Sequence, residues 1–167
     1  MRDHVVLSGI LACIAYLFFH AFFPHIKLIC FAPFLAVLFI QTKATIALWL
    51  SALTGVFADL FSSHFFGMYA LVFVLVCALL YRQKRFFAVK PINLAIYTAI
   101  ISVVITIIEP VLLFLFEKKV LLSWKWFFTD LIIMPTLDGL YAIVWFAYPI
   151  KLYDIVKKQM IRVLAKK

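Results

Sequence analysis

Acidic side chains are scarce in this chain: 7 in 167 residues, against 16 lysines and arginines. Glycine is scarcer still, at 4, and the 3 cysteines form no CxxC pair. Cys13, Cys30 and Cys77 each lie inside an apolar run. An odd set of thiols in such runs argues against a disulfide framework or a metal ribbon and reads as small apolar packing residues. The sequence holds no GxSxG elbow, no glycine-rich phosphate loop and no HExxH pair. Ser62-Ser63-His64 are contiguous, but a triad is defined by geometry and no partner is identifiable for them. No internal repeat and no low-complexity linker interrupts the chain. These absences predict a protein that is not an enzyme and carries no metal and no cofactor.

What fills the chain instead is apolar: 68% of its residues are hydrophobic and the mean hydropathy is +1.15. Soluble domains are about half apolar, so lipid is the expected solvent for most of this sequence. Continuous apolar runs, rather than short alternating ones, select helices over a β-barrel. The predicted fold is an all-α polytopic membrane protein with six transmembrane helices, near 5–23, 28–40, 44–61, 65–81, 92–116 and 126–150. The second carries Pro33 and is short. It would rise only ~20 Å through a hydrocarbon core of ~30 Å, as a tilted half of a hairpin or a re-entrant segment.

The net charge of +9 has its explanation in topology rather than in nucleic acid. With six spans and both termini cytoplasmic, only Lys27, Lys118, Lys119 and Lys125 fall outside, and the other basic residues fall inside. That is the positive-inside pattern. Arg82, Lys84 and Arg85, with Lys158 and Arg162 of the tail, form the predicted cytoplasmic, membrane-surface basic set. The first apolar run follows Arg2, lacks a small-x-small cleavage site and reads as an uncleaved helix rather than a signal peptide. Residues 1–150 form the predicted membrane domain. The tail, 151–167, places Leu152, Tyr153, Val156, Met160, Val163 and Leu164 on one face and Lys151, Asp154, Lys158, Arg162 and Lys166 on the other. It reads as an amphipathic helix on an anionic leaflet.

Four acids fall within predicted spans: Asp59, Glu109, Asp130 and Asp138. A charge at mid-membrane costs ~2.5–3.5 kcal/mol, so such a group faces a cavity, a partner or a bundle interior. Asp59, Glu109 and Asp130 are predicted near the outer side, as are His20, His25 and His64, with Asp138 near mid-membrane. Imidazoles and carboxylates together suit a divalent metal, but no pair has metal-ligand spacing. A proton relay would need acids through the full depth, and the inner half has none. Pro110 and Pro135 are predicted to kink the last two long helices.

One stretch carries a more specific signal. Gly55-x-x-x-Asp59 is followed by Gly67, by Ala70-Leu71, and by an apolar helix ending in the basic "RQKR". Glycine at 55 admits a close helix one turn from the carboxylate. This pattern resembles the rod-shape-determining MreD family of basic membrane proteins of about this length. The resemblance implies a non-enzymatic scaffold of the bacterial inner membrane. It would act with a bitopic MreC-like protein, a RodA-like synthase and its partner transpeptidase, with MreB filaments engaged indirectly. Gly55, Asp59, Gly67, Ala70 and Leu71 would then form a helix-packing or partner-docking motif. The alternative is the substrate-binding membrane subunit of a vitamin or metal uptake transporter, which would use the outer acids and histidines.

Overall fold

The computed structural model describes residues 2–22, 29–62, 65–87, 91–117 and 127–164, and these are helical almost throughout, with no strand among them. The helices are α1 (Arg2–Phe22), α2 (Ala32–Gln41), α3 (Ala44–Asp59), α4 (Met68–Leu80) and α5 (Pro91–Glu117). A 3₁₀ turn, Tyr81–Phe86, continues α4. The last helix runs unbroken to Leu164: a π turn (Thr129–Ile133), α6 (Met134–Ala142), a second π turn (Ile143–Ala147) and α7 (Tyr148–Leu164).

Among the described residues two segments are long and apolar enough to cross a membrane, Pro91–Phe116 and Thr129–Met160. Asp3–Phe19, Ala32–Gln41 and Ala44–Asp59 are apolar but shorter. The surface is apolar: Trp49, Leu53 and Leu60 project outward from α3 and its end, and Val111, Phe114 and Leu115 from α5. The interior holds Ser8, Ser51, Thr98, Ser102, Thr106 and the carboxylates of Asp59 and Asp138, all buried. Water would not tolerate an exposed apolar surface of this extent.

Helix α2 is the centre of the bundle. Eight consecutive residues, Ala32 to Phe39, are buried, and α1, α3, α5 and α6 all pack on it. Ten residues rise only ~15 Å; α2 starts in the interior, at Cys30 to Ala32, and ends half-buried at Gln41. Its exposed backbone dipole therefore needs partners at both ends. Asp138 supplies one: its Oδ1 accepts from the Ile29 amide, 3.1 Å away, just before the first turn. Lys84 supplies the other, its Nζ donating to the Thr42 carbonyl at 2.8 Å, where Tyr81 Oη also donates at 2.8 Å.

The two ends of the bundle are distinct. Gly9 lies against Phe34 and Tyr16 against Phe31, so α1 and α2 are antiparallel. This brings the start of α1 to the Thr42 turn, the 3₁₀ segment and the start of α5, where Tyr97 Oη donates to the Leu80 carbonyl at 2.9 Å. Lys157 of α7 pairs with Asp3 at the same end, and the Lys157 ammonium holds the Asp3 carboxyl below its usual range.

Several sequence-based boundaries shift. The fourth helix starts at Met68, not 65, because Gly67 takes a left-handed φ of 98° and sets the helix start. The second helix starts at Ala32, since residues 29–31 form the turn that leads into it. Residue 126, the predicted start of the last span, lies outside the described residues. No break separates a membrane domain ending at 150 from the tail; α7 carries the helix straight across that boundary. Helix α5 likewise continues through Pro110. Before Pro135, which cannot donate to the helix ladder, the chain widens into a π turn.

Candidate functional site

The stretch from Gly55 to Ala70 folds into one hairpin. Helix α3 ends at Asp59 and α4 starts nine residues later, which makes the two antiparallel neighbours. A Cβ on Gly55 would lie 2.3 Å from Ala70 Cα and 2.6 Å from the Tyr69 carbonyl oxygen. Only a residue without a side chain allows this backbone contact. One turn later, the buried Asp59 carboxylate accepts three hydrogen bonds from the start of α4. Oδ1 takes the Tyr69 amide at 2.8 Å; Oδ2 takes Gly67 at 3.1 Å and Ala70 at 3.2 Å. These are N–H groups that a helix leaves unpaired at its start, and a carboxylate is their strongest acceptor. Leu71 belongs to the same first turn through its amide, which donates to the Gly67 carbonyl at 3.0 Å. Its side chain points outward.

Tyr69 links this cap to the other acids. Its backbone serves Asp59 and its hydroxyl donates to Glu109 Oε1 at 3.1 Å. Glu109, on α5, and Asp130, on the first π turn of the last helix, both line a cavity of about 360 Å³. Asp130 Oδ1 accepts from the Thr129 hydroxyl at 2.9 Å. Tyr16, Phe31, Tyr69 and Phe73 form the aromatic part of the lining, and Cys30, Thr106 and Pro110 complete its polar and bent side. The rings pack on one another: Tyr16 and Phe31 at 5.0 Å between centroids, Phe31 and Phe73 at 6.2 Å, Tyr69 and Phe73 at 6.2 Å. Several of the 19 phenylalanines thus have a place in a connected aromatic cluster that continues through Phe57 and Phe61.

Asp138 stands apart, deeper in the bundle. It takes the Ser102 hydroxyl from α5 and the Ile29 amide, and neither contact reaches the cavity acids. Gly139 beside it lets α6 approach α5, with a Cβ there 3.2 Å from the Ala95 carbonyl oxygen. Pro135 is buried at the start of α6.

The structure therefore brings Glu109 and Asp130 into one cavity, ties Asp59 to it through Tyr69, and sets Asp138 behind the cavity wall, where it holds the amide of the lining residue Ile29. His25 and His64 lie outside the described residues, and His20 sits near the end of α1. Among the described residues no group of three His, Cys, Asp or Glu side chains is arranged to hold a metal. The basic set also divides. Arg82 and Arg85 are exposed, and Lys158 lies on the exposed α7, as does the backbone of Arg162, whereas Lys84 is turned inward onto α2.

Sequence reasoning missed Tyr16, Tyr69, Cys30 and Thr106 as lining residues. A signal for part of the site was present: Thr98, Ser102, Thr106 and Glu109 recur at helical spacing along α5, and the first three are buried. Nothing in the sequence marked Tyr16, whose hydroxyl reaches the Ala58 carbonyl at 3.2 Å from 42 residues away. No family model, curated protein or solved structure matches this chain.

Proposed function

We propose that this chain is a non-enzymatic, multi-pass component of the bacterial cytoplasmic membrane, a scaffold of the cell-elongation machinery that builds lateral peptidoglycan. One observation carries the reading. The MreD-like motif residues Gly55, Asp59, Gly67 and Ala70 meet in a single hairpin, each with a separate physical task. Close approach, capping and a left-handed turn are interdependent there, which gives a reason for these residue types to occur together at this spacing. The membrane part of the reading draws on the apolar surface and on the two helices long enough to cross. On this reading the chain has six spans, with α2 as a half-span, and both termini are cytoplasmic. The hairpin end faces the MreC-like protein and the RodA-like synthase with its transpeptidase. The basic end faces anionic lipid and the MreB side.

The test is crosslinking in native membranes, followed by mild-detergent purification and identification of what comes along. Recovery of a bitopic MreC-like protein or a RodA-like synthase is the expected result. Recovery of ATPase subunits with neither of these would replace the scaffold by a second reading, the substrate-binding subunit of a vitamin or metal uptake transporter. The acid-lined cavity is the observation that favours that second reading.

A further inference from the structure

The polar groups around the cavity at the hairpin end are unequal in kind. Three hydroxyls belong to its described lining, and each proton is already given away. Tyr16 Oη donates to the Ala58 carbonyl at 3.2 Å, Tyr69 Oη to Glu109 Oε1 at 3.1 Å and Thr106 Oγ1 to the Ser102 carbonyl at 2.9 Å. Asp130 is engaged as well, by Thr129. Two acceptors on α5 are less committed. Tyr69 serves one oxygen of Glu109, whereas a carboxylate has lone pairs for about four donors. The second acceptor is the Thr106 carbonyl. Its usual helix partner would be the amide one turn on, and that position holds Pro110, which has no N–H. Thr106, Glu109 and Pro110 all line the cavity, and their spacing puts them on one face of α5. The rings of Tyr16, Phe31, Tyr69 and Phe73 form the aromatic part of the wall. A volume of about 360 Å³ falls in the range of small-molecule sites, roughly 300–1,000 Å³.

From this we infer that the cavity binds a flat, uncharged aromatic molecule that presents an N–H or amino group to α5. Its ring lies among the aromatic side chains, where ring pairs gain from stacked or edge-on contact. Its N–H groups go to the Glu109 carboxylate and the Thr106 carbonyl. Other classes of ligand fit less well, each on a specific ground. A ligand with acceptors alone, such as an ether or an ester, meets no hydroxyl with a proton to give. An anion meets the same lack and the carboxylate of Glu109 besides. A charged amine gives up its water for a lining that is mostly carbon, a cost that an uncharged amino group avoids. An apolar ligand without a donor covers both acceptors and replaces nothing that water gave them. The reading goes beyond the scaffold function and does not rest on it.

The test uses the full-length protein in dodecyl maltoside micelles and fluorine NMR. The probes are para-fluoroaniline and a fluorinated indole, each paired with its N-methylated form, which keeps the ring and removes the donor. Titration into empty micelles corrects for partition. Saturable binding of at least one N–H probe is expected, about tenfold tighter than that of its methylated partner, the scale of a hydrogen bond to a charged group. Pro110→Ala returns an amide to the Thr106 carbonyl. It is expected to weaken the N–H probe by about threefold or more while keeping or raising the melting temperature, since alanine favours the helix. Glu109→Gln weakens the same probe and narrows its advantage over the methylated form. Leu113→Trp, which fills the space, abolishes binding. Asp3→Asn, at the opposite end, leaves it unchanged. Absence of saturable binding by either N–H probe overturns the inference. So does equal binding of both methylated forms, or parent-like binding by both Pro110→Ala and Glu109→Gln in variants that melt as the parent does. The scaffold reading stands or falls on its own crosslinking test, since neither result depends on the other.

Discussion

A missing methyl group decides how closely two helices approach at Gly55. The added carbon of alanine would sit 2.3 Å from Ala70 Cα, and backbone on both sides leaves nothing flexible to yield. At Gly139 the nearest atom is the Ala95 carbonyl oxygen at 3.2 Å, a contact that a shift of a few tenths of an ångström relieves. Overpacking a tight interface costs about 1–3 kcal/mol, occasionally more. Gly55→Ala is therefore expected to cost about 3 kcal/mol or more, and Gly139→Ala less than about 1 kcal/mol. Thermal unfolding of both variants in one detergent checks the order, and a Gly139→Ala variant at least as destabilised as Gly55→Ala would refute it. Gly67 differs from both: nothing lies within 4 Å of its missing side chain, and its requirement is the φ of 98° alone. The sequence showed where Gly55 and Gly67 stand relative to Asp59. It did not show that Ala70 is the residue Gly55 meets, because that contact depends on how the hairpin closes.

Helix ends set the next scale. Two helices here begin in apolar surroundings, and a carboxylate from another helix serves each. Asp59 takes three amides at the start of α4, and Asp138 takes one amide before α2 together with the Ser102 hydroxyl. A buried donor left without its acceptor costs about 1–3 kcal/mol. Asp59→Ala strands three backbone donors. Asp138→Ala strands one, because the Ser102 hydroxyl can rotate to another acceptor. Asp59→Ala is expected to cost at least twice as much stability as Asp138→Ala, and to impair function more in a complementation assay. Equal losses in both measurements would mean that capping is not the main task of Asp59. The shortness of the second helix was legible from Pro33 and from the length of its apolar run. Its place at the centre of the bundle was not, since burial of all faces of a ten-residue segment depends on four other helices. Nor was the inward turn of Lys84, which reads as one more member of a basic surface cluster until α2 ends beside it.

For the whole molecule, the ion pair between Asp3 and Lys157 joins the first helix to the last at the same end as the Thr42 turn and the 3₁₀ segment. The lowered titration of Asp3, caused by the Lys157 ammonium beside it, keeps its carboxylate charged further into acid than an ordinary aspartate. The pair is lost only as acid protonates the carboxylate, below the ordinary aspartate range. If that end is cytoplasmic, a reporter fused after Lys167 works only in the cytoplasm. A cysteine at Arg82 is then labelled only after permeabilisation, and one at Phe66 is labelled in intact cells. The opposite labelling pattern would reverse the orientation, and labelling of both positions from one side would refute an odd number of crossings between them.

Composition and apolar run length by themselves determined that this chain is helical and apolar on its surface, because each follows from counting along one dimension. Charge placement likewise made a both-termini-inside arrangement the natural expectation. Tertiary structure alone decided what the buried polar groups do. Asp59 and Asp138 are both acids in apolar runs with a glycine within four residues, yet one caps α4 and the other serves the start of α2. Glu109 and Asp130, 21 residues apart with no shared motif, become two sides of one cavity. The physical reason is that a carboxylate in an apolar interior takes whichever donors the packed helices bring to it, from its own hairpin for Asp59 and from other helices for Asp138.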